Sequence, residues 1–485
     1  MRATAVVLSL LLGCSSGTKS PGDTSDTADA PDTAEPAVRT PILGLLQFRV
    51  EHNLENEDCI GRGDCFGHLE ETDDIDGWLA DIAADTTAPV LHWDRPIPWD
   101  VMATPAPADA DAAAFHDARL DPSLVAWVDA FAVQFAAHPG GYLAVSVLDG
   151  DRASLAPLWR TNDQSEDVGA ACADLGPGTL LDIDGTEVEV AAAYAEFVRY
   201  LHAKLNPARL AILVEANAYA HLCPAQWPDM VALYHDVYDR TRARVDPDLP
   251  VFATLTLVEL LGFDAESCYG GLRWTTCDDP VAEPPEAVSA EACFPLHAEP
   301  LLDLAEGDRM DLLALSFYPH AMDLAPPGVD LDVAVWEGGD EPEGTCTAHA
   351  RYPRQLDPLD QLDRLPWDGP VALAETSARG CDTWAALDDA STSTRWWVSH
   401  PGSQANQQWW TDRLVEASVE HELDMLVWAF RNDYAPIGPW VLRDGLADTV
   451  GWSLMNRWAC SGIRDADGAD KDSVTSVWLD SLPGR

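Results

Sequence analysis

Two glutamates close apolar runs: Glu215 ends Ala211-Ile-Leu-Val, and Glu375 ends Val371-Ala-Leu-Ala. A carboxylate at the end of a dry run needs a charged partner or a chemical task, because an isolated buried charge is too costly to keep. Two such groups facing one cleft can divide labour, one protonated as an acid and one ionised as a nucleophile. The competing use is a buried salt bridge or a loop anchor. His92, Trp93 and Asp94 end a further apolar run and could bind a hydroxyl-bearing ligand, the indole face stacking on the apolar face of a ring. The chain has 19 tryptophans, several of them beside such runs, where they either meet a ligand or cap small loop cores.

Other chemistries lack their residues. There is no P-loop, no dinucleotide-type glycine motif after the first strand and no G-x-S-x-G, which leaves nucleotide binding and serine hydrolysis without support. A metal-dependent hydrolase would need a His/Asp cluster at strand ends, and His92 with Asp94 does not make one. No C-x-x-C pair is present, so a zinc site is not expected. Asp465 to Asp470 lacks the order and the terminal Glu of a calcium loop and reads as a polar turn. No metal or cofactor is expected.

The elements that must position these residues follow a rhythm. Apolar runs rich in Val, Leu, Ile and Ala recur at 42–48, 88–93, 142–148, 210–215, 250–255, 310–318, 369–375 and 424–430. They are continuous rather than alternating, as strands covered on both faces should be. Helical patterns fall between them at 75–84, 121–138, 188–205, 228–245, 299–306, 358–365, 404–420 and 473–482. Strand then helix, eight times, predicts a (β/α)8 TIM barrel. Successive runs lie roughly 55 residues apart, against about 30 in a minimal barrel, so the excess is loop. Cys59, Cys65, Cys172, Cys223, Cys268, Cys277, Cys293, Cys346, Cys381 and Cys460 all fall after an expected strand and before the next helix, which predicts long βα loops braced by disulfides over one end of the barrel. Cys59 with Cys65 is a plausible local pair.

Here the chain resembles the clan A glycoside hydrolases, and among them the arabinogalactan endo-1,4-beta-galactosidases. The residues are Ser316-Phe-Tyr318-Pro319 after the sixth run, Ala374-Glu375-Thr376 in the seventh, Val427-Trp428-Ala in the eighth, and the closing Cys460-Ser-Gly462-Ile-Arg-Asp465-Ala-Asp467-Gly468. The resemblance implies a retaining hydrolase of β-linked sugars with Glu215 as acid/base and Glu375 as nucleophile. It also implies that Tyr318 hydrogen-bonds Glu375 and helps keep it ionised, leaving the proton on Glu215, and that Trp428 floors a sugar subsite. The clan carries Asn immediately before the acid/base; here that position is Val214, and Asn217 is the nearest candidate to replace it. A non-catalytic carbohydrate-binding protein on a hydrolase-like barrel is the alternative.

The N-terminus reads as an address. Arg2 precedes an apolar stretch at 6–12, too short to span a bilayer, and Leu11-Leu12-Gly13-Cys14 resembles a bacterial lipobox, which implies lipidation of Cys14. Residues 1–14 are thus a lipoprotein signal with its modified Cys, 15–40 a Ser/Thr/Asp/Pro-rich tether that cannot bury enough surface to fold, and 41–485 the catalytic domain. The expected location is the bacterial cell envelope, with the lipid anchor as the membrane contact. Removing Cys14 from the 11 cysteines leaves an even number, as disulfides in an oxidising compartment require. Lys plus Arg is 29 against 82 Asp plus Glu, a net charge of −53. Such a surface repels phosphate backbones, so nucleic acid is not an expected partner; the partner that the resemblance implies is a carbohydrate.

Overall fold

The computed structural model describes residues 41–48, 75–161, 164–173, 175–262, 294–319, 331–337, 346–350, 357–389, 394–400, 402–433, 458–465 and 467–482. The lipobox, the tether and Cys59, Cys65, Cys268, Cys277 and Cys293 lie outside the described residues.

In chain order, β1 (Ile42–Phe48), the helix Ile75–Ala84, β2 (Val90–Trp93), the helix Pro122–Ala137 and β3 (Tyr142–Val145) come first. Two hairpins follow, β4 (Leu158–Thr161) with β5 (Gln164–Glu166), and β6 (Leu180–Ile183) with β7 (Thr186–Glu189), before the helix Val190–Leu205. Next are β8 (Arg209–Ala211), the helices Ala216–Leu222 and Trp227–Arg242, β9 (Val251–Phe252) and β10 (Thr254–Thr256). The helix Glu299–Ala305 leads to β11 (Leu313–Phe317), then β12 (Leu331–Glu337) and β13 (Cys346–Ala350). A 3-10 turn at Leu359–Arg364 precedes β14 (Val371–Thr376), β15 (Thr383–Asp389) and β16 (Thr394–His400). The helix Gln404–Glu420, β17 (Met425–Phe430) and the helix Asp472–Asp480 complete the order.

The result is an α/β fold with parallel sheets. One has the order β2-β3-β8-β9 and the other β1-β17-β14-β11-β10, and every ladder in both is parallel. Only Ala253 separates β9 from β10, so one segment serves both sheets. At the other ends β1 lies against the approach to β2: Thr87 N–H donates to the Leu43 carbonyl at 2.8 Å, and Leu43 N–H to Thr87 Oγ1 at 2.9 Å. Glycine is needed there, since a Cβ on Gly44 would stand 2.5 Å from a Val90 methyl. Strands β2, β3, β11 and β17 are buried at every residue; helices cover one face and strand side chains fill the other, which is why they read as unbroken apolar runs.

The helices begin where their caps stand. Asp121 accepts from Ser123 N–H at 2.9 Å ahead of Pro122, and Ser403 accepts from Asn406 N–H at 3.1 Å; each satisfies an amide that the first turn leaves open. Asp465 closes a polar turn by accepting from Asp467 and Ala469 N–H. Among the described residues, part of the excess length forms antiparallel strands. The order β13-β12-β16-β15 forms a separate four-stranded sheet from segments after β11 and β14, which the sequence rhythm did not predict.

Two disulfides are present among the described residues. Cys172–Cys223 joins the segment after β3 to the end of the Ala216–Leu222 helix, and Cys381–Cys460 joins the segments after β14 and β17. Among the helices, Glu196 is buried in a polar cluster. It accepts from Ala106 N–H at 2.8 Å and pairs with His116 at 2.8 Å, Arg199 at 3.2 Å and Arg244 at 2.8 Å.

Candidate active site

Strand β8 ends at Ala211, and Glu215 follows a tight bend rather than ending the strand. Its backbone is left-handed, φ 49° and ψ 46°, at the N-cap of the Ala216–Leu222 helix. A non-glycine residue there costs of order 1–3 kcal/mol and persists only where its surroundings over-determine it. They do so here: Glu215 N–H donates to Thr254 Oγ1 at 2.8 Å. The Asn217 amide, one turn on, spans the backbone of Thr256, donating to its carbonyl at 2.9 Å and accepting its N–H at 2.7 Å.

The Glu215 side chain meets an arginine that sequence reasoning did not single out. Arg152 Nε donates to Glu215 Oε2 at 3.0 Å while Nη1 donates to Asp94 Oδ2 at 2.7 Å. Arg152 thus bridges the ends of β2 and β8 from the turn after β3. The two carboxylates raise its affinity for its proton further against the burial that opposes it.

Glu375 lies in β14, opposite Ser316 of β11 in register. Its side chain is 13% exposed. Tyr318 donates its hydroxyl to Glu375 Oε1, and His92 Nδ1 lies 3.8 Å from Oε2. Burial and the negative charge of Glu215 push the Glu375 pKa up to about 8. The Tyr318 hydrogen bond and the Arg152 charge pull the other way and lose. The expectation that Tyr318 keeps Glu375 ionised is therefore corrected: one neutral donor does not offset desolvation beside a second carboxylate, and the Glu375 pKa rises. His92 is neutral at pH 7, its pKa lowered to about 4 by burial. A fourth carboxyl, after Glu215, Asp94 and Glu375, completes the group. Glu259, just beyond β10, has a pKa raised to about 7 by burial and then by the Glu215 charge.

The structure brings together Glu215, Glu375, Tyr318, His92 and Asp94, and adds Arg152 and Glu259. Three expected ligand-binding residues take other places. Trp93 is fully buried, edge-on to Trp127 at 5.1 Å and Phe197 at 5.2 Å on two helices. Trp428 is likewise fully buried against Trp478 and donates its indole N–H to the Ser461 carbonyl at 2.8 Å. Neither ring has a free face for a sugar, because on a strand covered by helices every second side chain enters the helix layer. The amide of Asn217 is committed to Thr256. The signals for the missed residues were thin: Arg152 follows Asp149 and Asp151 after the third run, and Glu259 lies three residues beyond a threonine-rich strand end.

No family model matches the chain, and no curated protein is detectably similar to it. Among solved structures it is similar to the Ignisphaera aggregans GH53 catalytic domain, at 15% identity and TM-score 0.40 over 92% of this chain and 97% of that one. It is also similar to Ruminococcus gnavus beta-glucuronidase, at 12% identity and TM-score 0.30 over 61% of this chain. The match spans 35% of that enzyme's length. At scores of this size the assignment rests on the site geometry.

Proposed function

We propose that the two parallel sheets are parts of one closed (β/α)8 barrel and that the chain is a retaining glycoside hydrolase acting on a β-linked oligosaccharide or polysaccharide. The observation that carries this reading is the carboxyl pair: Glu375 buried beneath Tyr318 and raised by the charge of Glu215, with Glu215 held by Arg152 in a strained backbone. Such strain and such a shifted carboxyl cluster where groups react.

Glu375 attacks the anomeric carbon as the bond to the leaving oxygen breaks, and Glu215 gives that oxygen its proton. Water then attacks the glycosyl-enzyme ester, Glu215 takes its proton, and the sugar leaves with its configuration retained. This order needs Glu375 ionised, whereas burial and the charge of Glu215 raise its pKa in the free protein. Two features of a substrate complex favour the order. The glycosidic oxygen accepts a hydrogen bond from a protonated Glu215, and positive charge growing at the anomeric carbon favours an ionised Glu375.

Azide tests the pair and its roles on aryl β-glycosides and β-galactan. With Glu375→Gln it should give glycosyl azide of inverted configuration, and with Glu215→Gln, on a good leaving group, glycosyl azide of retained configuration. Full turnover by Glu375→Gln sinks the proposal. The rival, a carbohydrate-binding protein without turnover, is favoured by Val214 before Glu215 and by the engagement of Glu215 with Arg152; an inactive parent that still binds glycan would establish it. Within the same reading, Cys14 carries the lipid that holds the protein at the bacterial envelope. Mass spectrometry of the mature N-terminus should find a diacylated Cys14, and a soluble form beginning elsewhere would refute it.

A further inference from the structure

Arg152 is tied to Glu215 twice, through its side chain and through its backbone. It sits in a left-handed turn, φ 56°, whose amides are taken up locally: Arg152 N–H donates to the Asp149 carbonyl at 2.9 Å, and Asp151 accepts from Ala153 and Ser154. The next residue, Ala153, accepts the N–H of Cys172 at 2.8 Å. Cys172 is bonded to Cys223, which caps the helix that Glu215 begins. Tyr219 of that helix also donates to the Ala173 carbonyl at 3.0 Å. The path from Glu215 along its helix, across the disulfide, back to the Arg152 turn and out along the guanidinium closes on the Glu215 carboxylate. Asp94 anchors the other arm of the fork.

We propose that Arg152 is a positioning residue that aims the Glu215 carboxylate, with the Cys172–Cys223 bridge as its strap. The proposal rests on reading Glu215 and Glu375 as a reacting pair. Arg152 is 11% exposed and both its carboxylate contacts are charge-assisted, which gives direction as well as attraction. The other groups that feel the charge of Glu215 are His92 of β2, Glu259 after β10, Tyr318 after β11 and Glu375 of β14. Arg152 Nε holds the Glu215 carboxylate directly, at 3.0 Å, and so sets its aim.

The test compares Arg152→Met, Arg152→Lys and Cys172→Ser/Cys223→Ser with the parent on an aryl glycoside that the parent cleaves. Arg152→Met should lower kcat by ~10²-fold, the effect of misplacing a reacting group by about 1 Å, with KM little changed. The alkaline limb of its pH profile should move. Arg152→Lys should restore that limb but not kcat, since an ammonium cannot span two carboxylates as the fork does. The double serine variant should lower kcat in the same direction by less. A raised KM with unchanged kcat, or parent-like kinetics in Arg152→Met, overturns the proposal.

A second readout needs no turnover: the Glu375 titration, followed by isotope-edited NMR of the carboxyl carbons. It should sit near 8 in the parent, shift by about one unit or more in Arg152→Met, and return in Arg152→Lys. An unmoved titration overturns the inference whatever the protein cleaves. A parent inert toward every glycoside sinks the hydrolase reading and the positioning role with it, whereas an active parent whose kcat does not answer to Arg152 sinks the positioning role alone. If Arg152→Met does not fold, Arg152→Lys and the double serine variant carry the kinetic readout, and parent-like kcat in both overturns the proposal.

Discussion

Glu196 and Glu375 are both carboxyls withdrawn from solvent, yet their surroundings treat them oppositely. For Glu196, 1% exposed, burial alone would raise the pKa, but His116, the Ala106 amide and Arg199 outweigh it and the pKa falls. For Glu375, burial is again the largest influence, the next is the repelling charge of Glu215, and the pKa rises to about 8. Burial does not decide whether a carboxyl is charged; the number and sign of its partners do. The helix layer supplies Glu196 with cations and an amide, and the carboxylate becomes a clamp between elements. Around Glu375 stand a neutral hydroxyl, a neutral His92, an arginine already shared between Glu215 and Asp94, and the repelling charges of those two carboxylates, and the group is left ready to move a proton.

The sharpest way to break this contrast is to remove each carboxyl in turn. Glu375→Gln should cut kcat on an activated aryl β-glycoside by on the order of 10⁴-fold or more, with an unchanged fold by circular dichroism. Glu196→Gln should do the reverse. Leaving Arg199 and Arg244 without their buried partner should cost about 3–5 kcal/mol in urea unfolding, with kcat of the folded protein intact. If Glu196→Gln loses activity without losing stability, the division between clamp and reacting group fails.

Removing a strap has an intermediate effect. Cys381→Ser/Cys460→Ser opens a bridge between residues 79 apart and should cost roughly 2–4 kcal/mol. Its activity loss should be smaller than that of the Cys172 and Cys223 pair, which ties the turn of Arg152 to the helix of Glu215.

The smallest effect is in the pH dependence of stability, and its two signs separate the two sites. The folded pKa of Glu196 is depressed, so its contribution is present above the unfolded value near 4.3 and is lost as pH falls below it. The folded pKa of Glu375 is raised, so its contribution is present below about 4.3 and is lost as pH rises from there through about 8. Urea midpoints measured from pH 5 to pH 9 should therefore fall less steeply in Glu375→Gln than in the parent, a difference of roughly 1–3 kcal/mol at the alkaline end. Identical slopes would mean that Glu375 is not the group holding the proton.

Much of this was legible in the chain. The runs at 42–48 and 424–430 appear as Ile42–Phe48 and Met425–Phe430, and the helices at 75–84 and 404–420 appear within the same bounds. A continuous apolar run and a 3.6-residue period are local signals, present in the residues themselves. The pair Glu215 and Glu375 was visible for the same reason, as charges at the ends of apolar runs. The limits lie where the answer depended on a partner distant in sequence. Trp93 and Trp428 had the right type and place for a sugar platform, but their rings turn into the helix layer, toward Phe197 and Trp478. Asn217 was taken up by Thr256.

The alternation of strand and helix, the acidic balance, the cysteine placement and the two glutamates are properties of the sequence by itself, because each depends on residue type and spacing along one segment. The tertiary structure decided the rest. It brought Arg152 to Glu215 across 63 residues and Tyr318 to Glu375 across 57, and it raised the Glu375 pKa through burial and the charge of Glu215. Those outcomes are differences between desolvation and a few charges a few ångströms away, and such distances exist only once the chain has folded.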